Sequence, residues 1–430
     1  MSDTAIIDLR GRRVWDSRGR PTVEAEVTLA GGARGRAIAP AGASKGSGEA
    51  LDRRDGGSAF GGYDVRQAVD AVNGSIADAL AGVDADDQAA VDRRLIELDG
   101  TANKRRLGGN ATIAVSMAAA HAAAAAHGRP LWQHLGGLTA QTLPLPEIQI
   151  FGGGAHAAGR VDIQDFMVIA TGAGDFAEAL DWTAEVYRAA GLLMADAGLL
   201  QGVADEGGFW PAFDSNEQAL DMLLRAIERA GYKPGEEVAI SLDVAASELG
   251  RGGRYRLGLE RKELDSGAMA EMLLGWLDRY PIVSIEDPLA EDDEAGLVAF
   301  TRAAGGRVQI IGDDYLVTNA DRVRHAAAAG ACNAVLVKPN QAGTLSETRA
   351  AFDAAREAGW GAVVSARSGE TEDVTIVHLA VGWGAYQLKV GSFARSERMA
   401  KWNEGLRIAE ALGERSGLPP PSVFPWCRQG

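Results

Sequence analysis

Ser241-Leu-Asp243, Ser284-Ile-Glu-Asp287, Ile311-Gly-Asp-Asp314 and Leu336-Val-Lys338 are four short runs, each ending in ionisable side chains. They close the β-rich segments Val238–Asp243, Ile282–Glu286, Val308–Asp313 and Ala334–Lys338. Val161–Ile169, Ala362–Ser365 and Gln387–Val390 are segments of the same kind. Several are continuously apolar, as a strand covered on both faces requires. The marks Asp243, Glu286, Asp313, Lys338 and Lys389 are separated by 43, 27, 25 and 51 residues, and the last interval holds a further strand ending near Arg367. A strand, a helix and two loops take about 25 to 45 residues. Alternating units of this kind predict a parallel sheet, and this number of them predicts a closed (β/α) barrel.

Upstream of about Leu143 the texture differs. Thr22–Leu29 alternates Val23, Ala25, Val27 and Leu29 with polar residues, the period of a half-solvated strand. Gly31-Gly32 reads as a turn and Gly35–Pro40 as the returning strand. Ala41–Gly48 is Gly/Ser-rich and without periodicity, a flexible surface loop by composition. Ala111–His127 reads as an Ala-rich helix suited to close packing, with Pro130 beyond its end. These features predict an α+β unit over residues 1–138, with a mobile loop at 40–48, followed by the barrel over 139–430.

The 430 residues carry 43 Lys plus Arg against 59 Asp plus Glu, a formal charge of −16, which argues against a nucleic-acid binder. Hydrophobic content of 46% and charged content of 24% are ordinary globular values and exclude wholesale disorder. Two cysteines, Cys332 and Cys427, exclude a disulfide scaffold and predict a reducing compartment. No apolar run reaches the roughly 20 residues that span a bilayer, and Met1–Arg13 has no apolar leader core, so a cytoplasmic protein is expected. With only 7 lysines against 36 arginines, each lysine draws notice.

One charged strand end can be a helix N-cap, for which Asp is well suited. Four on consecutive βα units converge on one barrel mouth, and caps do not explain that. Buried charge so concentrated must be compensated. Carboxylates from three strands suit Mg²⁺, which takes its other ligands from water and substrate. Lys338 follows Val335-Leu-Val337; a buried lysine beside other cations loses basicity and becomes a base near neutrality. Lys389 adds to that shift or pairs with the carboxylates. In Asp205-Glu-Gly-Gly208 the glycines form a turn that lets backbone approach a ligand and leaves Glu206 available as an acid. A metal, a Lys base and a Glu acid suit proton abstraction α to a carboxylate.

With Asp16-Ser-Arg-Gly-Arg-Pro-Thr-Val-Glu24, Asp99-Gly-Thr101, Gly153-Gly-Ala-His156, Val161-Asp-Ile-Gln-Asp-Phe166, Lys338-Pro-Asn-Gln341, Arg367-Ser-Gly-Glu-Thr-Glu-Asp373 and Gln387-Leu-Lys389 added, the chain resembles the enolase family from about residue 5 to 415. The resemblance implies a modified (β/α)8 barrel with an N-terminal α+β cap, usually as a homodimer or higher homo-oligomer. It implies Asp243, Glu286 and Asp313 on one tight Mg²⁺, and Ser44 on a second that comes with substrate. Lys338 becomes the base and Glu206 the acid, in a family where a Lys or His base works with Mg²⁺. Lys389 is placed near the substrate carboxylate, Arg367 and Ser368 at its phosphate, and His156, Gln164 and Asp165 around it. The Gly-rich loop becomes a lid.

The family pattern Ser-Gly-Ala-Ser-Thr reads Ala41-Gly-Ala-Ser-Lys45 here; Asn-Gly-Gly-Glu-His reads Gly152-Gly-Gly-Ala155-His156; Gln-Glu-Phe reads Gln164-Asp165-Phe166; and Ser-His-Arg-Ser reads Ser365-Ala366-Arg367-Ser368. The asparagine pair after the His motif is Gly159-Arg160. Most of these changes shrink a side chain, while Lys45 and Arg160 add positive charge. A roomier, more cationic pocket that admits a second anionic, nucleotide-activated substrate is therefore expected. The carboxyphosphonoenolpyruvate synthases, an enolase-like branch in phosphinic-acid natural-product pathways, have that need. A divergent phosphopyruvate hydratase, turning 2-phosphoglycerate into phosphoenolpyruvate, and a non-catalytic enolase-fold binding protein are the alternatives. The intact Lys338, Glu206 and carboxylates count against the last.

Overall fold

The computed structural model describes residues 2–137 and 142–427. The expected division between 138 and 139 lies outside the described residues. The chain opens with an antiparallel meander of β1 (Ile6–Trp15), β2 (Pro21–Leu29) and β3 (Arg34–Ile38), in that order across the sheet. The alternation in β2 puts Val23, Ala25, Val27 and Leu29 in the core. Its opening half is less solvated than expected, because Thr22 and Glu24 are buried as well. The Ala-rich segment forms the helix Gly109–Ala126, which lies on β2 and β3. The approach is backbone to backbone. A Cβ at Gly35 of β3 would sit 2.1 Å from the Ala122 nitrogen and 2.2 Å from the Ala118 oxygen.

The barrel strands are β4 (Leu145–Gly152), β5 (Asp165–Ile169), β6 (Ala239–Asp243), β10 (Ile282–Glu286), β11 (Gln309–Gly312), β12 (Ala334–Val337), β13 (Gly361–Ser365) and β14 (Gln387–Ser392). A small antiparallel sheet follows β6: β7 (Gly250–Arg251), β8 (Arg254–Leu257) and β9 (Lys262–Asp265). The barrel closes in the order β10-β11-β12-β13-β14-β4-β5-β6. It departs from the all-parallel expectation at β5, which is antiparallel to both β4 and β6. Between β4 and β5 lies a short 3-10 turn, Gly154–Ala157, and no crossover helix, so the chain doubles back. The reversal has a direct consequence. Asp165 begins its strand, yet pairs with Asp243 at the end of β6 and so stands at the same mouth.

The cap reaches the mouth through 41–48. Ala41 and Gly369 exchange backbone hydrogen bonds of 2.9 Å in both directions, and Arg18 donates to the Ala41 carbonyl at 2.7 Å. No helix among the described residues is long and apolar enough to cross a membrane.

Candidate active site

Side chains alternate along a strand, so residues two apart face the same way. Ser241 and Asp243 of β6, Ser284 and Glu286 of β10, and Gln387 and Lys389 of β14 therefore build two polar layers inside the barrel, all buried. In the lower layer Gln309 of β11 accepts from Ser284 at 3.2 Å and donates to Gln387 at 2.7 Å, while Ser241 donates to Glu147 of β4. The upper layer carries the charges. The Lys389 ammonium lies 2.8 Å from Asp243, 2.7 Å from Glu286 and 3.3 Å from Asp165. Lys338 is paired with Asp313, whose other oxygen accepts from Gln341 at 2.9 Å.

These contacts set the protonation states. Burial pulls Lys338 down, but Asp313 outweighs it and the ammonium is held above its ordinary range. A lysine already depressed toward neutrality, as expected from sequence, is not what this arrangement gives. Burial likewise opposes the Lys389 charge, and Asp243, Glu286 and Asp165 push its pKa well up. Glu286 is raised well above the carboxylate range by burial and by Asp243, against the pull of Lys389.

Opposite the lysines stands His156, with Nδ1 3.0 Å from Asp165 and Nε2 3.6 Å from Glu206. Burial disfavours its charge, yet Glu206 and Asp165 win and push it up to about 9. Glu206 is fixed by its turn. Gly207 has φ +95°, and a Cβ there would lie 2.6 Å from the Ala394 carbonyl; Gly208 donates to Gln149 at 2.9 Å.

The loop 41–48 rests on Arg367. Its guanidinium bonds Glu49 at 3.0 Å, Asn340 at 3.1 Å and the Ser44 carbonyl at 3.0 Å, and a Cβ on Gly42 would fall 1.9 Å from Nη2. Farther along, Ser47 donates to Glu291 and accepts from Arg322. Beneath this loop is a narrow cavity of about 20 Å³. Of the residues expected from sequence, Ser44, His156, Gln164, Asp165, Glu206, Asp243, Lys338, Arg367, Ser368 and Lys389 line it. Glu286 and Asp313 stand beside it through their lysine contacts.

Lys45 and Arg160 do not line it. Lys45 is exposed and points toward Asp52, 3.8 Å away, and Arg160 is half-buried outside it. Gly152 leaves no empty room either, because a Cβ there would meet Ala204 at 2.8 Å and Gln149 at 3.1 Å. Asp165 and Ala366 are the changed positions that do line the cavity.

The donor set fits Mg²⁺. All the candidate ligands are hard oxygens, and Glu286 Oε1 and Gln164 Oε1 are buried with no hydrogen-bond partner. Among the described residues, Asp243, Glu286 and Asp313 do not bring their oxygens all within 4.8 Å of one another; Lys389 pairs with two of them and Lys338 with the third. Asp287, Asp313 and Asp314 do converge, to within 4.8 Å. Asp287, at φ +42°, accepts from the Asp313 and Asp314 nitrogens at 2.9 and 2.8 Å. Burial and the neighbouring carboxylates raise Asp287 to about 8 and Asp314 to about 9. Sequence reading missed this pair and the lower polar layer. The signals were the Glu-Asp and Asp-Asp doublets and a polar residue two places before each charged strand end.

Two family models match the chain: "Enolase, N-terminal domain" over residues 6–135, and "Enolase, C-terminal TIM barrel domain" over residues 140–419.

Proposed function

The chain belongs to the enolase family, and from that premise we propose that its barrel mouth removes the α-proton of a small 2-phosphoglycerate-like acid, with Mg²⁺ as cofactor. The cap is assigned to 1–138 and the catalytic barrel to 139–430. The observation that carries the reading is the facing of two buried lysines and a buried acid pair across one cavity. Lys338 takes the proton; Glu206, beside His156, gives one to the leaving group. Lys389 receives the substrate carboxylate, Arg367 and Ser368 the phosphate, and Gln164, Asp165 and His156 orient it. Asp243, Glu286 and Asp313 would hold the tight ion, and Ser44 a second. Bound Mg²⁺ supplies positive charge that competes with the lysines for their carboxylates and opposes the negative charge gained by the substrate carboxylate. The exposed aromatics Trp15, Phe60 and Tyr63 on the cap support the homo-oligomer that the resemblance implies.

The finer reading is a specialised paralogue, of the carboxyphosphonoenolpyruvate synthase kind, in which the deprotonated substrate attacks the phosphorus of a nucleotide-activated second substrate and the nucleotide leaves. Two observations support it. Asp165 and Ala366 stand at the reacting centre where the family pattern has larger groups. A second cavity, of about 480 Å³, lies against the lid, lined by Ser47, Arg251, Arg322 and His325 among others. The narrow inner cavity, about 20 Å³, favours instead a divergent phosphopyruvate hydratase with a single small substrate. Turnover of 2-phosphoglycerate with and without a nucleotide-activated phosphonoformate separates them. Poor turnover alone and product formation with both supports the paralogue; fast phosphoenolpyruvate formation indifferent to the second compound supports the hydratase.

A further inference from the structure

Two of the six histidines meet on the cap, and neither lines the barrel-mouth cavity. His127 terminates the helix Gly109–Ala126. Gly128, at φ +62°, and Pro130 turn the chain into the short helix Leu131–Gly136. That turn stacks the His134 ring on His127, with centroids 5.7 Å apart and planes at 19°. Asp86, from a separate turn, contacts His127 Nε2 through both oxygens, at 2.7 and 2.9 Å. One ligand atom from each of the three lies within 4.8 Å of the others.

A tetrahedral cation with bonds of about 2.1 Å sets its donors roughly 3.4 Å apart, so small side-chain rotations suffice. His127 and Asp86 are 43% and 36% exposed, which leaves a fourth position to water. Two imidazole nitrogens and one carboxylate suit a borderline ion such as Zn²⁺ and disfavour Mg²⁺, the reverse of the all-oxygen set in the barrel.

We propose that Asp86, His127 and His134 bind one Zn²⁺ as a clip on the cap. The proton shared by His127 Nε2 and Asp86 leaves to solvent as the cation takes its place. The clip joins the long cap helix to the short one, which packs on the barrel helix Thr375–Trp383; a Cβ at Gly382 there would lie 2.8 Å from Leu135.

The test uses the full chain, stripped with EDTA, dialysed and saturated with Mg²⁺, then titrated with zinc chloride at pH 7.5 by calorimetry and by melting temperature. One Zn²⁺ per chain, bound more tightly than about 10 µM, with a rise in Tm, is expected. His127→Ala and His134→Ala should each weaken binding at least about tenfold and remove the Zn²⁺-dependent rise, whereas His325→Ala should not. Melting in EDTA separates any loss of the Asp86–His127 contact itself from loss of the Zn²⁺ increment. Absence of uptake, uptake abolished by excess Mg²⁺, or uptake surviving in the double variant would each overturn the proposal.

Discussion

Burial drives the Lys338 ammonium toward neutrality while Asp313 holds it charged, so one carboxylate decides whether this lysine donates or accepts a proton. The assigned order of steps makes two variants separable. Lys338→Ala should slow exchange of the substrate α-proton with solvent by about 10²-fold or more. Glu206→Gln should spare that exchange and block the later steps. Isotope exchange into recovered substrate measures the first event alone, and wild-type exchange in both variants would remove Lys338 from the role. Asp313→Ala or Glu286→Ala, like excess EDTA, should abolish turnover, because the remaining carboxylates then repel one another around a poorly held ion. Full activity in EDTA would contradict the Mg²⁺ assignment.

At the scale of elements, close approach decides two further outcomes. Gly42→Ala would drive a methyl into the Arg367 guanidinium, 1.9 Å away, and the loop 41–48 could not pack on it as it does. Activity should fall roughly 10²-fold from lost positioning, with the melting temperature nearly unchanged. Gly35→Ala reverses that pattern. Its methyl meets helix backbone at 2.1 Å, which cannot rotate away, so stability should fall by about 3 kcal/mol in urea unfolding. The sequence marks some of these elements well and others poorly. Apolar runs closed by Asp243, Glu286, Asp313 and Lys338 mark their strands because burial on both faces leaves few polar residues until the mouth. β4 was not recognised. Pro146 and Glu147 argue against a central strand, yet both are buried there, Glu147 on Ser241. Nor does composition reveal that β5 runs backward, which is what brings Asp165 to the site. Lys45 and Arg160 show the same limit: proximity in sequence to Ser44 and His156 does not tell which way a side chain points.

For the whole molecule, the seam between cap and barrel contributes an acid-sensitive part of its stability. His121, on the cap helix, bonds Thr375 at 2.9 Å and packs edge-on against His378 of the barrel, with centroids 5.9 Å apart. Burial, together with His121 and against Asp373, pushes His378 down to about 4; burial also lowers His121, again against Asp373. Glu404, 3.4 Å from His378 Nε2, is the nearest group to receive a proton's charge, while Nδ1 is buried without a partner. Unfolded histidine titrates near 6.5, so below that pH the unfolded chain binds more protons than the folded one. The seam's contribution is therefore complete above about pH 6.5 and is lost progressively as pH falls toward 4, by roughly 3 kcal/mol for His378. Asp287 and Asp314, raised to about 8 and 9, press the opposite way, favouring the folded state at low pH. Urea midpoints of the wild type and His378→Gln are therefore compared between pH 7.5 and 4.5, with Mg²⁺ present throughout. On going from pH 7.5 to 4.5 the wild type should lose stability relative to His378→Gln, by up to about 3 kcal/mol, because the barrel-mouth carboxyls are common to both chains and cancel in the comparison. An identical slope in the variant would place the acid sensitivity elsewhere and leave the paired histidines as packing alone.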